Sequence, residues 1–313
     1  MDMLDIISLG ELLVDLLPVG HSQQGQPLYE ANPGGAPANV ASCAAKLGLQ
    51  VGLIAKVGDD PFGHMLHEII QRQQMRSQGM VFSPSHSTSL AVVHLSPDGD
   101  RSFSLYNQNP ADLALCSDEL PMELLRNCRI FHFGARSLVT SVAGEATLLA
   151  TQTARASGAK ISFDPNLRPG LWADEKGART SALKGVEQAD FIKLALEEMV
   201  FLYQRENIAQ VLQMLAAQGK LAIVTDGANG CYAWDQGRLL HIPAYAVKTV
   251  DTTGAGDAFW AAFLYQQIVS DRHSLVEQLR FASAAGAIAT LKKGSMASQP
   301  CLEQIHRFLE LQD

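Results

Sequence analysis

What the chain lacks narrows its function first. No apolar run approaches the ~18 residues of a membrane-spanning helix. The N-terminal stretch Met1-Asp-Met-Leu-Asp-Ile-Ile7 is acidic where a secretory leader needs basic residues. The expectation is a soluble, cytoplasmic protein. No Cys-x-x-Cys pair occurs. The five cysteines, Cys43, Cys116, Cys128, Cys231 and Cys301, are scattered and odd in number, which suits reduced thiols better than disulfides or zinc ligands. Positive charge is in deficit, with 24 Lys and Arg against 32 Asp and Glu. General affinity for nucleic acid or an anionic membrane is therefore not expected. The nine histidines show no H-E-x-x-H or other metal spacing, and no serine sits in G-x-S-x-G. The glycine-rich turns also miss the G-x-G-x-x-G of dinucleotide folds and the Gly-Lys-Ser/Thr of P-loops. A phosphate site in this chain must be a local arrangement of backbone N–H groups and a few cations.

What is present describes a globular α/β chain. Of its 313 residues, 47% are hydrophobic and 18% charged, an ordinary composition for a full core. Strands are expected at 6–10, 51–57, 130–133, 160–164, 191–194 and 221–225. Helices are expected between them, at about 40–47, 61–74, 141–156 and 209–218. Strands alternating with helices imply a parallel sheet covered on both faces, with ligands outside the carboxyl ends of the strands. Asp164, Lys193 and Thr225 lie at such ends. Between 88 and 106 the hydrophobic period changes to two around Ser96-Pro-Asp-Gly-Asp100, which reads as a hairpin. It interrupts the alternation, so it is expected to project as a flap together with part of 11–30. No repeat, low-complexity tract or linker divides the chain, so one domain over 1–313 is expected.

The chain is organised around Asp251-Thr-Thr-Gly-Ala-Gly-Asp257. Small residues leading into an apolar run describe a tight turn that opens a helix. The first N–H groups of a helix have no internal partners and carry the positive end of its dipole. Gly254 and Gly256 let an anion approach them. Asp257 in the same turn either complements the dipole or takes a proton from a hydroxyl that attacks a phosphate. A second turn, Asn32-Pro-Gly-Gly-Ala-Pro-Ala-Asn39, offers the N–H groups around Gly34 and Gly35 and the amide of Asn39, which suits a polyhydroxylated ligand. Asp15 can accept two hydroxyl hydrogen bonds or lie exposed at a strand edge. Phe163-Asp-Pro-Asn-Leu-Arg168 follows a strand, and Arg168 can grip a phosphate or a sugar oxygen. Glu198 can hold magnesium through water or serve as an acidic first helical turn. Thr225-Asp-Gly-Ala-Asn-Gly230 is a further turn suited to nucleotide phosphates. The histidines at 64, 67 and 132 read as surface or satisfied core residues.

Four of these motifs in order, Gly34-Gly-Ala-Pro-Ala-Asn39, Val57-Gly-Asp-Asp-Pro-Phe-Gly63, Phe163-Asp-Pro-Asn-Leu-Arg168 and Asp251-Thr-Thr-Gly-Ala-Gly-Asp257, make the chain resemble the ribokinase-like sugar kinases over nearly its whole length. Within them it looks most like the bacterial fructokinases. The resemblance implies a three-layer α/β sandwich with a mostly parallel central sheet and a small β-sheet lid drawn from about 11–32 and 88–110. It implies an ATP-dependent kinase for a sugar hydroxyl, fructose first, with another ketose, a 2-keto-3-deoxy sugar acid or a riboside as alternatives. A non-catalytic sugar sensor is the alternative of another class. Asp257 matches the family's catalytic base, and Gly254, Ala255 and Gly256 its anion hole. Asp15, Gly34, Gly35, Asn39 and Arg168 match the sugar site. Thr225, Gly227, Gly230 and Lys193 match the nucleotide site, with Mg2+ near Glu198. Asp251, Thr253, Ala289, Gly294 and Ser298 resemble the ligands of an activating K+. The lid resembles one that forms a homodimer interface in several members. The chain departs from the pattern at Ala195, where relatives often have Asn or Ser, and at Ser283, where they often have Asn or His. A third departure is Tyr106-Asn-Gln-Asn-Pro-Ala-Asp112, which lacks the Arg of many fructokinases.

Overall fold

Parallel strands cannot be joined by a tight turn, so a parallel sheet needs a crossover between neighbours. The chain supplies these crossovers as helices. The computed structural model describes residues 3–95, 101–106, 109–269 and 273–312. In chain order the first half contains β1 (Leu4–Leu9), β2 (Leu13–His21), β3 (Pro27–Gly34), α1 (Ala36–Lys46), β4 (Val51–Gly58), α2 (Pro61–Arg72), β5 (Arg76–Ser83), β6 (Leu90–Leu95), β7 (Arg101–Tyr106), α3 (Met122–Leu125), β8 (Cys128–Gly134) and α4 (Ser141–Ala156). The second half contains β9 (Lys160–Asp164), α5 (Glu175–Gln188), β10 (Phe191–Ala195), α6 (Leu196–Tyr203), α7 (Ile208–Ala217), β11 (Leu221–Thr225), β12 (Cys231–Asp235), β13 (Arg238–Ile242), α8 (Ala255–Val269), α9 (Leu275–Ala289) and α10 (Leu302–Glu310).

Nine strands form one sheet in the order β13-β12-β11-β10-β9-β8-β1-β4-β5. From β5 to β11 every pair is parallel, and β12 and β13 add an antiparallel hairpin at one edge. Both faces are covered. One core gathers residues of α1, α8 and α9 with Ile6, Leu53 and Ile223 of the sheet. The other gathers α4 to α7 with Ile7, Phe131, Phe163 and Leu194. This two-sided burial is why β4 is buried at every residue and apolar but for Lys56, whose ammonium pairs with Glu119. The register sets Gly134 opposite Asp164 and Ala195 opposite Thr225, so the polar strand ends share one edge.

A separate four-stranded sheet, β3-β2-β6-β7, is made of two hairpins joined by a parallel β2–β6 pair. The strand expected from residue 88 begins instead at Leu90. Thr88 and Ser89 anchor its root: the Thr88 N–H and hydroxyl donate to Asp60 at 2.8 Å each. Ser89 bonds the buried carboxylate of Asp112, which also accepts from Arg136 Nε at 2.5 Å. The expected turn at 96–100 lies outside the described residues.

Three features differ from the sequence expectation. Helix α1 starts at Ala36 rather than near 40, because Pro37 falls in its first turn, where a missing N–H costs nothing. Strand β5 and the hairpin β12–β13 were not expected. The hairpin turns at Gln236 and Gly237, both at positive φ (47° and 82°), as a two-residue connection of this kind requires. Gln-Gly announces that turn more weakly than Asn-Gly does.

Candidate active site

Helix α8 opens at Ala255, directly after Gly254, whose φ of 80° few side chains tolerate. The Ala258 N–H makes the first helical bond, to the Gly254 carbonyl. The N–H groups of residues 254–257 therefore have no acceptor within the helix. Of these, the Ala255 N–H closes the turn onto the Thr252 carbonyl at 3.2 Å. Asp257, on this first turn, is only 7% exposed. Asn39, one turn into α1, donates its Nδ2 to Asp257 Oδ2 at 2.7 Å, while its own Oδ1 is buried without a partner. Burial pushes the Asp257 carboxyl up to about 7. The nearby Asp164 carboxylate pushes the same way, against the Asn39 hydrogen bond and the positive charges of Lys193 and Arg168. This turn brings together a carboxylate that holds its charge at a cost, an amide with a free acceptor, and open N–H groups.

Asp164, at the end of β9, and Lys193, within β10, form a buried ion pair at 2.7 Å. Burial alone would lower the Lys193 ammonium, but Asp164 and the more distant Glu198 and Asp257 hold it charged, above its ordinary value. A Cβ placed on Gly256 would lie 3.4 Å from Lys193 Nζ, so the ammonium sits against the helix start. Glu198 accepts the N–H of Leu167 at 2.7 Å and that of Ala195 at 2.8 Å. It therefore caps α6 and ties down the segment carrying Arg168. Burial, then Asp164, raise its pKa. Beneath the site, Ser162 bonds both His132 Nδ1 and Trp260 Nε1 of α8 at 2.9 Å, pinning that helix to the sheet. Burial takes His132 down to about 4, and it is the satisfied core histidine expected from its strand.

The small sheet carries Asp15 on β2. Its carboxylate packs so closely on Gly34 that any Cβ there would overlap it, and Gly35 (φ 109°) leaves no room beside the Glu11 carbonyl. Asp15 is buried, and this raises its pKa to about 6, opposed by Arg168 and aided by Asp257 and Asp251. Arg168 is exposed and donates to the Leu167 carbonyl. Asp15 lies within electrostatic reach of Arg168 and Asp257, and Asn39 bonds Asp257, so these four side chains form one group, with Gly34 packed on Asp15.

Thr225 ends β11 beside Lys193's strand, and its hydroxyl reaches the Leu194 carbonyl at 3.4 Å. Gly227 and Gly230 lie at positive φ in the following turn. A side chain at Gly230 would strike the Ile242 carbonyl of β13, whereas Gly227 faces open space. Ser283 of α9 lies 3.9 Å from Cys231 Sγ, just past this turn. Asp251 is buried, and its two oxygens accept the N–H groups of Thr253 (2.8 Å) and Gly294 (3.0 Å). That joins the helix-opening turn to the segment of Gly294 and Ser298. Ala289 is buried at the end of α9. Among the described residues no cluster of three or more His, Cys, Asp or Glu side chains forms a metal cage. No helix among them is long and apolar enough to cross a membrane.

The model of the pfkB family carbohydrate kinases matches residues 3–301. The chain belongs to that family. It is 39% identical over 315 residues to Fructokinase-1 of Zea mays, with 97% of each protein covered. The Xylella fastidiosa fructokinase structure with bound ATP superposes with a TM-score of 0.90 at 31% identity, covering 98% of both chains. A double mutant of the Vibrio cholerae O395 fructokinase, in fructose, ADP and potassium ion bound form, gives 0.88 at 32% identity over 99% of both.

Two further residues beside these groups, Asp164 and Glu11, have partners that the sequence does not show. Asp164 was placed at a strand end without a role, and only its bond to Lys193 gives it one. Glu11 accepts the Ala36 N–H at 3.0 Å and so caps the helix carrying Asn39. Its available signal was Gly10-Glu11 directly after the first strand, at the sheet edge where ligands bind.

Proposed function

We propose that the chain is an ATP-dependent kinase that transfers a phosphoryl group to a hydroxyl of fructose, giving fructose 6-phosphate, and that residues 1–313 act as one unit with the small sheet as its lid. The observation that carries this is the buried Asp257 carboxylate at the open start of α8, bound to Asn39 and flanked by Lys193. Full-length similarity to fructokinases supports the sugar. Asp15, Asn39 and the backbone at Gly34 and Gly35 hold the sugar hydroxyls, and the free Asn39 Oδ1 is an acceptor aimed at such a group. Arg168 closes the open side. Asp257 orients the attacking hydroxyl and takes its proton. The N–H groups of Gly254 and Gly256, with Ala255 completing the turn and Lys193 beside it, face the charge that develops on the transferred group. A carboxylate is an adequate base here, because a loose phosphoryl-transfer transition state asks for positioning and charge stabilisation more than for basicity.

Thr225, Gly227 and Gly230 are assigned to the nucleotide, on the same sheet edge as Lys193. Mg2+ bound with ATP would neutralise phosphate charge. Glu198 fits a position behind its waters, since each carboxylate oxygen has spare acceptor capacity beyond the one N–H it binds. Asp251, Thr253, Ala289, Gly294 and Ser298 surround the contact between turn and loop. The oxygens there, with Asp251 already fixing both segments, suit K+. Val19, Leu28, Tyr29 and Tyr106 are exposed on the small sheet, and this exposed apolar surface supports a homodimer through the lid. All five cysteines are free thiols, in keeping with the cytoplasm.

A coupled ADP-release assay over a sugar panel, with and without K+, tests this. ADP release in step with fructose phosphorylation is expected. No release with any ketose would remove the fructose assignment, and no release with any sugar would remove the kinase.

A further inference from the structure

We propose that Gln299 is a positioning residue for phosphoryl transfer: its side-chain amide ties the carbonyl of Gly254, and hence the start of α8, to the 291–299 loop. Gln299 is only 4% exposed; its Oε1 is buried without a partner, so the bonds of its Nε2 are what hold the amide in place. Its Nε2 donates to the Ser295 carbonyl at 2.9 Å and to the Gly254 carbonyl at 3.3 Å. These two acceptors fix the amide's orientation, because the reverse would set Oε1 against two carbonyl oxygens. The Gly254 carbonyl is also the acceptor of α8's first helical bond. The Gln299 donor therefore bears on the peptide that sets where the open N–H groups point. A Cβ on Gly254 would come within 3.0 Å of Nε2, so the fit depends on glycine as well.

The loop is itself held from the opposite side. Lys46, at the end of α1, donates Nζ to the carbonyls of Met296 (2.7 Å) and Gln299 (3.3 Å). Helix α1 carries Asn39, which bonds Asp257. Lys46, Gln299 and Asn39 thus close a ring: α1 holds the loop, the loop holds Gly254, and the helix that follows Gly254 returns to α1 through Asp257. A second tie, from Asp251 to Gly294, lies on the side assigned above to the monovalent ion. Gln299 and that ion brace the same turn in parallel, one by an amide donor and one by a positive charge among carbonyls. Losing the amide leaves the turn more dependent on the ion.

The inference rests on reading the Gly254 turn as the phosphoryl site, so its test has one arm that needs no substrate. In Gln299→Leu, amide hydrogen exchange in the peptide spanning 251–257 is expected to quicken, with β1 and β8 peptides unchanged. With ATP and fructose, kcat is expected to fall roughly tenfold, below the loss seen when an oxyanion-hole donor itself is removed. KM for both substrates should stay within about twofold, and K+ should restore more of the variant's kcat than it adds to the parent's. Unchanged exchange at 251–257, a uniform rise across the sheet, or an unaltered kcat would each overturn the proposal. If Gln299→Leu fails to fold, Lys46→Met decides: a local rise at 251–257 supports the brace and its absence overturns it. A parent enzyme that phosphorylates no sugar would instead remove the functional reading and leave the exchange result standing.

Discussion

Two clusters of buried charge lie near the active edge of the sheet, and they differ in how completely they are satisfied. Arg136 and Asp112 have side chains 8% and 2% exposed, paired at 2.5 Å and joined by the Ser89 hydroxyl. Asp112 raises the Arg136 pKa against the effect of burial. Around Asp257 the partners do not balance. One lysine is shared between Asp164 and the space in front of α8, the Asn39 oxygen is unpartnered, and the Asp257 carboxyl is driven up to about 7. The first cluster sits at the root of the small sheet and locks it to the large one. The second keeps unused capacity that a ligand can take up. Both are buried ionic networks, and the difference between them separates scaffold from chemistry.

That contrast is broken most severely at Asp257. Asp257→Ala is expected to lose roughly 10²–10⁴-fold in turnover, as removal of a general base does, with sugar-dependent ADP release as the readout and circular dichroism as the folding control. Arg136→Met comes next and acts on stability. Leaving the Asp112 charge buried and unpaired should cost about 3–5 kcal/mol, read by denaturant unfolding. Turnover per folded molecule should fall much less than in Asp257→Ala. A variant with full stability but no turnover would erase the distinction between the clusters.

A smaller effect sharpens the comparison through pH. The proposed role of Asp257 requires the carboxylate, so kcat/KM is expected to rise with pH through about 7 and to be lost as pH falls below it. Asp164→Asn removes a negative neighbour and frees Lys193. Both changes favour ionised Asp257, so the acidic limb should shift to lower pH. A limb that stays in place, or moves up, would mean that Asp164 does not act on the base.

Much of this was legible in the sequence, for identifiable reasons. Strands 160–164 and 221–225 and helix 141–156 were placed at their observed ends because apolar periodicity and flanking turns agree there. Asp251-Thr-Thr-Gly-Ala-Gly-Asp257 gave the helix start because glycine spacing and dipole chemistry are local properties. The partners of that turn were less accessible. The bond from Asn39 to Asp257 spans 218 positions and that from Gln299 to Gly254 spans 45, and no local pattern encodes either. Arg136, Asp112 and Ser89 stand 23 to 47 positions apart and meet only because the segment before β6 and the segment after β8 come together. Glu198 illustrates a further gap: its charge was visible, but not the two N–H groups it caps, which give it a structural duty whether or not it serves a metal.

The contrast between the clusters is tested most directly by the stability of Asp257→Asn, because scaffold and catalytic carboxylates give opposite signs. A carboxyl raised to about 7 in the folded protein, from near ~4 when unfolded, favours folding in its protonated form. That contribution declines as pH rises from about 4 to about 7 and is absent above it, where the buried charge opposes folding. An asparagine keeps an oxygen for the Asn39 amide and carries no charge. Denaturant unfolding at pH 8 should therefore find Asp257→Asn as stable as the parent or more so, while its turnover falls at least about 100-fold. A loss of stability with turnover per folded molecule preserved would make Asp257 a second Arg136–Asp112 and contradict the account.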